Sequence, residues 1–274
     1  MRLVLDFDGT VTQKDTIGEL ARAAIDLQRH RTGRHLQAAW DDAVQAYLRD
    51  CESYRASFDP PEASRKDAAA EARFLAGLKD AEEASLSRVS QTGIFAGLQR
   101  DDFFQMGVDA VLSGRVAETE GFQELMRSAE RKGLKVDVVS VNWSRAFIQG
   151  VLHPRRLDVA ANDVSENGDI KGPQTSGGTR ITTSRDKLDA LRRVTQADGP
   201  VWYFGDSVTD LQCLLYSRGV VIAEDATSPL LRTLSRIGID VPHVANPRNR
   251  ENTKLFWARD FRQVLASRVL EQGQ

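Results

Sequence analysis

The 274-residue chain holds only two cysteines and four histidines, and that scarcity removes whole classes of function. Cys51 and Cys213 share no C-x-x-C spacing and cannot build a disulfide framework. His30, His35, His153 and His243 are scattered, so no zinc ligand set is legible. An excess of one charge sign is missing too. Lys+Arg number 37 against 39 Asp+Glu, a net charge of −2, which excludes a strongly basic nucleic-acid-binding protein. No apolar run approaches the ~20 residues of a membrane span. The apolar start, Leu3-Val4-Leu5, is shorter than the ~7–15 residues of a signal-peptide core. The expectation is a cytoplasmic chain in a reducing setting, with no nucleic-acid partner and no membrane span. Its 41% hydrophobic and 28% charged residues suit a soluble protein with a real core.

What is present is organised in two textures. Residues 2–7 form a short apolar run that stops at Asp6-Phe7-Asp8-Gly9, the pattern of a buried strand in a parallel sheet. From Thr16 the segments 16–31, 36–57 and 64–91 carry apolar residues at three- and four-residue spacing and read as amphipathic helices. Pro60-Pro61 separates the second from the third, and Gly93 ends the third. From about 121 strands and helices alternate. Helix 121–132, strand 136–141, helix 143–152, a helix through Val194 with Ser184 as N-cap, strand 201–204, helix 208–216, strand 220–222 and helices 229–237 and 253–271 are expected. Within this part, 157–164 and 169–171 flank Glu166-Asn167-Gly168, an Asn-Gly hairpin signal. Residues 173–180 read as a flexible polar loop and the last few residues as frayed. Repeated strand–crossover–strand units imply a parallel sheet with helices on both faces, and residues 16–120 read as a helical insert.

Ligands of such a sheet bind outside the carboxyl ends of its strands. Three of those ends carry polar clusters: Asp6 to Thr12, Ser140-Val141-Asn142, and Gly205 to Asp210. Asp6 and Asp8 stand two apart, so in extended backbone both carboxylates point to one side. Two adjacent anions call for a cation or a proton, and a hard divalent ion with oxygen ligands meets that need. Asp-x-Asp-Gly is equally ordinary turn chemistry. Asp206 or Ser207 can cap the following helix as well as serve a metal, and Asp210 suits the positive end of that helix. Ser140 offers a hydroxyl, and Val141 and Asn142 offer backbone N–H groups, to an anion. Lys187 by itself reads as a solvated helix lysine.

In order and spacing these segments resemble the four motifs of the haloacid dehalogenase superfamily. They stand as DFDGTVT (6–12), Ser140 closing VDVVS, Lys187 in DKLDAL, and GDSVTD (205–210). The resemblance implies an α/β fold: a Rossmannoid parallel sheet flanked by helices, with an inserted all-helical C1 cap domain. The catalytic core would take residues 1–14 and 121–274, and the cap 15–120. The implied activity is that of a Mg²⁺-dependent phosphatase acting on a small organic phosphate monoester through an aspartyl-phosphate. The resemblance makes Asp6 the nucleophile and Asp8 the general acid and then base. It gives the phosphoryl group to Ser140, Val141, Asn142 and Lys187. It gives Mg²⁺ to Asp6, Asp206 and the backbone carbonyl of Asp8, with Asp210 supporting that shell or Lys187. Asp8 favours phosphatases and phosphomutases, since the dehalogenases and P-type ATPases of the superfamily lack an aspartate there.

Within the superfamily the layout resembles the phosphoserine phosphatase-like branch. DFDGTVTQKDTIGEL is similar to that group's opening, and Asp15 stands where a substrate-facing carboxylate would; it can equally cap the first helix of the insert. Two features depart from the pattern. SVNWS replaces Ser-Gly-Gly, bringing the bulk of Trp143, and the insert is longer than that group's compact cap. In both respects the chain looks most like fungal-type relatives of unassigned substrate. Aromatic residues of the insert, such as Trp40, Tyr47, Tyr54, Phe58, Phe74, Phe95, Phe103 and Phe104, suit a core or a pocket wall. The alternatives are a phosphatase for prenyl-type (di)phosphates, a phosphomutase, and a catalytically silent scaffold that binds a phosphometabolite or a protein.

Overall fold

The computed structural model describes residues 1–174, 177–196, 199–246 and 253–271. Strand β1 (Arg2–Leu5) opens the chain, and five helices follow: α1 (Ile17–Thr32), α2 (Gln37–Ser57), α3 (Ala68–Gly77), α4 (Lys79–Thr92) and α5 (Arg100–Leu112). Then come α6 (Phe122–Arg131), β2 (Lys135–Val139), α7 (Arg145–Val151), β3 (Asp158–Ala160), β4 (Asp163–Val164) and β5 (Ile170–Lys171). The remainder is α8 (Ser184–Val194), β6 (Val201–Gly205), α9 (Leu211–Tyr216), β7 (Arg218–Ile222), α10 (Pro229–Arg236), β8 (Leu255–Ala258) and α11 (Phe261–Ser267).

Six strands form one parallel sheet in the order β3-β2-β1-β6-β7-β8. The chain winds outward from β1 in one direction through β2 and in the other through β6. β1 is therefore the topological switch point, where such sheets open a crevice at their carboxyl ends. Leu5 stands in register with Val138 of β2 and Phe204 of β6, so Asp6, Ser140 and Asp206 leave the sheet side by side. Both faces of β1 are covered, which is why Leu3-Val4-Leu5 is an unbroken apolar run, while Arg2 at its start is buried against Asp137 of β2 at 2.6 Å. Leu3 and Leu5 join one core with Trp202 and Phe204, while Val4 joins the other with Val139 and Tyr203. Each such side chain, fully buried, contributes about 1.5–3 kcal/mol. The fold matches the expected α/β sheet with an all-helical insertion.

Several elements differ from the sequence expectation. The segment 64–91 is two helices: α3, whose N-cap is Asp67, and α4, with Leu78 closing the first and opening the second. Helix α5 was not expected. The stretch 157–164 divides: β3 extends the parallel sheet, and only β4 pairs antiparallel with β5. The N-cap of α8 is Thr183, whose side chain accepts from Asp186 N; Ser184 is inside the helix. Residues 253–271 hold strand β8 and then α11, whose N-cap is Asp260. Leu255-Phe256-Trp257-Ala258 is a short apolar run that periodicity cannot separate from a buried helix. The loop 173–180 is fastened at Arg180, which pairs with Glu83. Residues 175–176 of that loop and the tail 272–274 lie outside the described residues. Among the described residues no helix is long and apolar enough to cross a membrane.

Candidate active site

Asp6 begins where β1 ends, and its backbone N–H donates to Phe204 O at 2.8 Å, the last sheet bond of the strand. Its side chain is almost fully buried, and Oδ1 accepts from Phe7 N at 2.6 Å and lies 2.7 Å from Lys187 Nζ. The same ammonium is 2.7 Å from Asp210 Oδ1. Lys187, which alone suggests a solvated helix residue, is therefore completely buried between two carboxylates. Burial would lower its pKa, yet Asp210 and Asp6 hold the ammonium above its ordinary value.

Asp210 is saturated with donors. Its Oδ1 also accepts from Tyr203 OH at 2.6 Å, and its Oδ2 accepts from the N–H groups of Asp206 and Ser207, both at 3.1 Å. A Cβ at Gly205 would come within 2.3 Å of Asp210 Cγ, so only glycine lets that carboxylate tuck against the strand end. Asp206 is half-buried, with Thr10 Oγ1 donating to it at 3.1 Å. Carboxylate oxygens of Asp6, Asp206 and Asp210 all lie within 4.8 Å of one another. Burial, with Asp210 next, pushes Asp206 up to about 7. The same causes, in the same order, push Asp6 well above the usual carboxylate range despite Lys187. Three crowded carboxylates share a single buried ammonium, an arrangement short of positive charge.

Asp8 belongs to a second group. Its Oδ1 accepts from Thr16 N at 2.7 Å and Thr16 Oγ1 at 2.6 Å, and its Oδ2 accepts from Asn142 Nδ2 at 2.8 Å. Burial first, then the charge of Asp15, push Asp8 up to about 6 against these bonds. The turn from Phe7 to Thr12, which carries Asp8, closes with Thr12 N donating to Phe7 O at 3.0 Å. Asn142 thus spends its side chain on Asp8 and on Thr16 Oγ1. Ser140 is fully buried, its Oγ accepting from Asn142 N at 3.0 Å. The carbonyls of Val141 and Asn142 are held by Asn162 Nδ2. Asp15 is exposed, and its Oδ1 accepts from Ile17 N at 2.8 Å, so it orders the entry to α1 while its charge reaches Asp8. Trp143 packs edge-on against Trp40 and Phe95 of the insert, with ring centroids 5.9 and 6.3 Å away. Its bulk is taken up in the core cluster that these insert residues join. Inside the insert Tyr54 stacks on Phe74, and Phe58 meets Tyr54 tilted and Phe74 edge-on.

A groove of about 730 Å³ along the edge strand β3, lined among others by Arg145, Asp158, Lys171 and Arg193, contains none of these aspartates. Converging charge, rather than volume, marks the site at β1. A family model for haloacid dehalogenase-like hydrolases matches residues 3–215. The chain belongs to this hydrolase family. Over 238 residues this haloacid dehalogenase-like hydrolase is 28% identical to a CTO1 family protein of Schizosaccharomyces pombe, covering 79% of each chain. Its fold is similar to a phosphoserine phosphohydrolase-like protein from Francisella tularensis, with TM-score 0.53, 16% identity, and coverage of 97% and 98%. It is also similar to cytosolic 5'-nucleotidase IIIB bound to cytidine, with TM-score 0.61, 12% identity, and coverage of 98% and 85%.

The donor set of this hydrolase fits a hard divalent cation: carboxylate oxygens only, crowded, and under-neutralised. Because Asp210 is occupied by Tyr203, Lys187 and two backbone N–H groups, Asp6 and Asp206 are the carboxylates left to hold one. Sequence reasoning missed Thr10, Thr16 and Tyr203 as the partners of Asp206, Asp8 and Asp210. Thr10 lies inside a motif and was visible there. Thr16 and Tyr203 gave no local signal, since a turn and a strand register bring them to their carboxylates.

Proposed function

We propose that the protein is a Mg²⁺-dependent phosphatase of small organic phosphate monoesters, working through an aspartyl-phosphate on Asp6. The observation that carries this reading is the division of labour between the two aspartates. Asp6 is buried with Lys187 2.7 Å from Oδ1, while Asp8, two residues on, is held by Thr16 and Asn142 and pushed up to about 6. A carboxyl that titrates near neutrality can give and take a proton; one beside a fixed ammonium can take a phosphoryl group.

In this reading a carboxylate oxygen of Asp6 attacks phosphorus and the ester P–O bond breaks. The leaving oxygen takes its proton from Asp8. Asp8 then accepts a proton from water, whose oxygen attacks phosphorus; the Asp6 oxygen leaves, freeing orthophosphate and restoring both aspartates. Lys187, Ser140 and the backbone N–H groups of Val141 and Asn142 orient the phosphoryl oxygens, the Asn142 N–H turning to them from Ser140 Oγ, and the ammonium offsets their charge. Asn142 serves also by holding Asp8. Asp6, Asp206 and the Asp8 carbonyl would hold Mg²⁺, which supplies electrostatic stabilisation of the transferring group when bound. Asp210 braces Lys187 and the loop after β6.

We assign residues 1–14 and 121–274 to a catalytic core and 15–120 to a cap that selects the leaving group. In support, every strand of the main sheet falls outside the insert, and α1–α5 fall within it. We also assign substrate contact to Asp15, which is exposed at the entry to α1. The test is burst release of p-nitrophenol from p-nitrophenyl phosphate with Mg²⁺, expected in the natural protein and abolished in Asp6→Asn. Equal inactivity of both proteins across a broad phosphate-ester panel would overturn the hydrolytic reading in favour of a silent scaffold.

A further inference from the structure

The insert reaches the helix that carries Lys187. Lys79, the first residue of α4, donates from Nζ to Arg180 O at 3.1 Å, Thr182 Oγ1 at 3.0 Å and Asp186 Oδ2 at 2.8 Å. It also lies 3.1 Å from Glu83 Oε1, and Glu83 in turn pairs with Arg180. Asp186 Oδ2 is at the same time the acceptor of the α8 capping box, taking bonds from Thr183 N and Thr183 Oγ1, both at 2.9 Å, and from Thr182 N at 3.1 Å. Lys187 is the next residue. Its N–H donates to Thr183 O at 3.0 Å, and its ammonium sits between Asp6 and Asp210. One peptide bond therefore separates the carboxylate gripped by the insert from the lysine at the proposed nucleophile.

The charges of this cluster cancel, Lys79 and Arg180 against Glu83 and Asp186, so it offers no free cation to a second anionic group of a substrate. It is also unlike an exposed surface pair, which contributes little. The Lys79 and Asp186 side chains are 32% and 15% exposed, and Lys79 satisfies three acceptors of the core segment at once. The segment it grips is fixed from its other side by Asn162, which accepts from Ile181 N at 2.8 Å and donates to the carbonyls of Val141 and Asn142.

We propose that Lys79 is a positioning residue: by gripping Asp186 it fixes the first turn of α8 and so the place of the Lys187 ammonium, making the core's competence depend on the insert being docked. The proposal rests on the reading of Lys187 as a phosphoryl-holding residue. In the full chain, Lys79→Met should lower kcat on p-nitrophenyl phosphate about tenfold while KM stays within about twofold, the mark of a misplaced group rather than lost binding. Hydrogen exchange at the amides of Asp186 and Lys187 should quicken about tenfold as the first turn loosens. Lys79→Arg should restore most of both, and Asp186→Asn should reproduce the loss, which keeps the test open if Lys79→Met folds poorly. Unchanged exchange in Lys79→Met and Asp186→Asn overturns the proposal whatever the activity, and so does faster exchange with kcat intact. An inactive natural protein whose Lys79→Met variant exchanges faster would instead sink the phosphatase reading and leave the clamp on α8 standing.

Discussion

Asp8 shows how little a side chain's identity says about its chemistry. The same residue type stands at 6, 8, 206 and 210, and the surroundings divide the work. Asp210 accepts from a phenol, an ammonium and two backbone N–H groups, so it is structural in effect. Asp8 accepts from a hydroxyl, a backbone N–H and an amide, none of them charged, and burial pushes it up to about 6. Asp8→Asn should therefore reduce turnover by about 10²–10⁴, the worth of a positioned proton donor. Its effect on Mg²⁺ affinity should be small, because only the Asp8 backbone is assigned to the ion. Titration calorimetry alongside steady-state kinetics checks this, and a large loss of Mg²⁺ binding with normal turnover would contradict the role. Lys187 makes the opposite point. Its sequence surroundings read as a helix surface, and only packing reveals an ammonium with no access to water.

Among the elements, the turn after β1 carries the most consequence per residue. Gly9 has φ +72°, and a Cβ there would lie 2.3 Å from Asp206 Oδ2. Left-handed backbone costs a non-glycine residue about 1–2 kcal/mol, and here the added methyl also displaces a carboxylate assigned to the metal. Gly9→Ala should lower stability by at least about 1–2 kcal/mol in urea unfolding and weaken Mg²⁺ binding in the same protein. Unfolding and Mg²⁺ binding both indistinguishable from the parent would mean that the turn relaxes without touching Asp206. Strand β1 was legible because both its faces are buried, which writes an unbroken apolar run. Strand β8 was not, because four apolar residues beside a helix leave no period to read.

At the scale of the molecule, the insert is tied to the core by charge as well as by chain. Besides Lys79 on α8, a buried Arg65–Glu71 pair, 2.8 Å apart, is joined by Arg236 of α10 at 2.9 Å from the same Glu71 oxygen. Charge also couples the fold to pH and metal. The folded Asp206 carboxyl titrates at about 7, far above an unfolded aspartate. A raised folded pKa gives stability that is present at low pH and is lost as pH rises, here from about 4 to 7. Metal-free protein should accordingly lose stability over that window. Mg²⁺, which needs the ionised carboxylates, should restore it, so the rise in Tm on adding Mg²⁺ should be larger at pH 8 than at pH 5.5. Asp206→Asn should remove most of that difference. Thermal melts at both pH values, with Mg²⁺ and with EDTA, decide it, and an equal Mg²⁺ effect at the two would count against Asp206 as a ligand.

The sequence by itself determined the parallel sheet, its helical insertion and which strand ends carry clustered polar residues. Those features are local: a two-faced buried strand must be apolar, and the polar residue that follows it must emerge at the carboxyl edge. The spacing of DFDGTVT, Ser140, Lys187 and GDSVTD was legible for the same reason. Tertiary structure alone decided which groups meet. It set Thr16 and Asn142 on Asp8, Tyr203 and Lys187 on Asp210, and Lys79 on the cap of α8, at sequence separations of 8, 134, 7 and 107 for the bonds from Thr16, Asn142, Tyr203 and Lys79. A hydrogen bond depends on where two elements pack, and a carboxylate's pKa depends on everything that displaces water around it. Neither is written in the residues on either side.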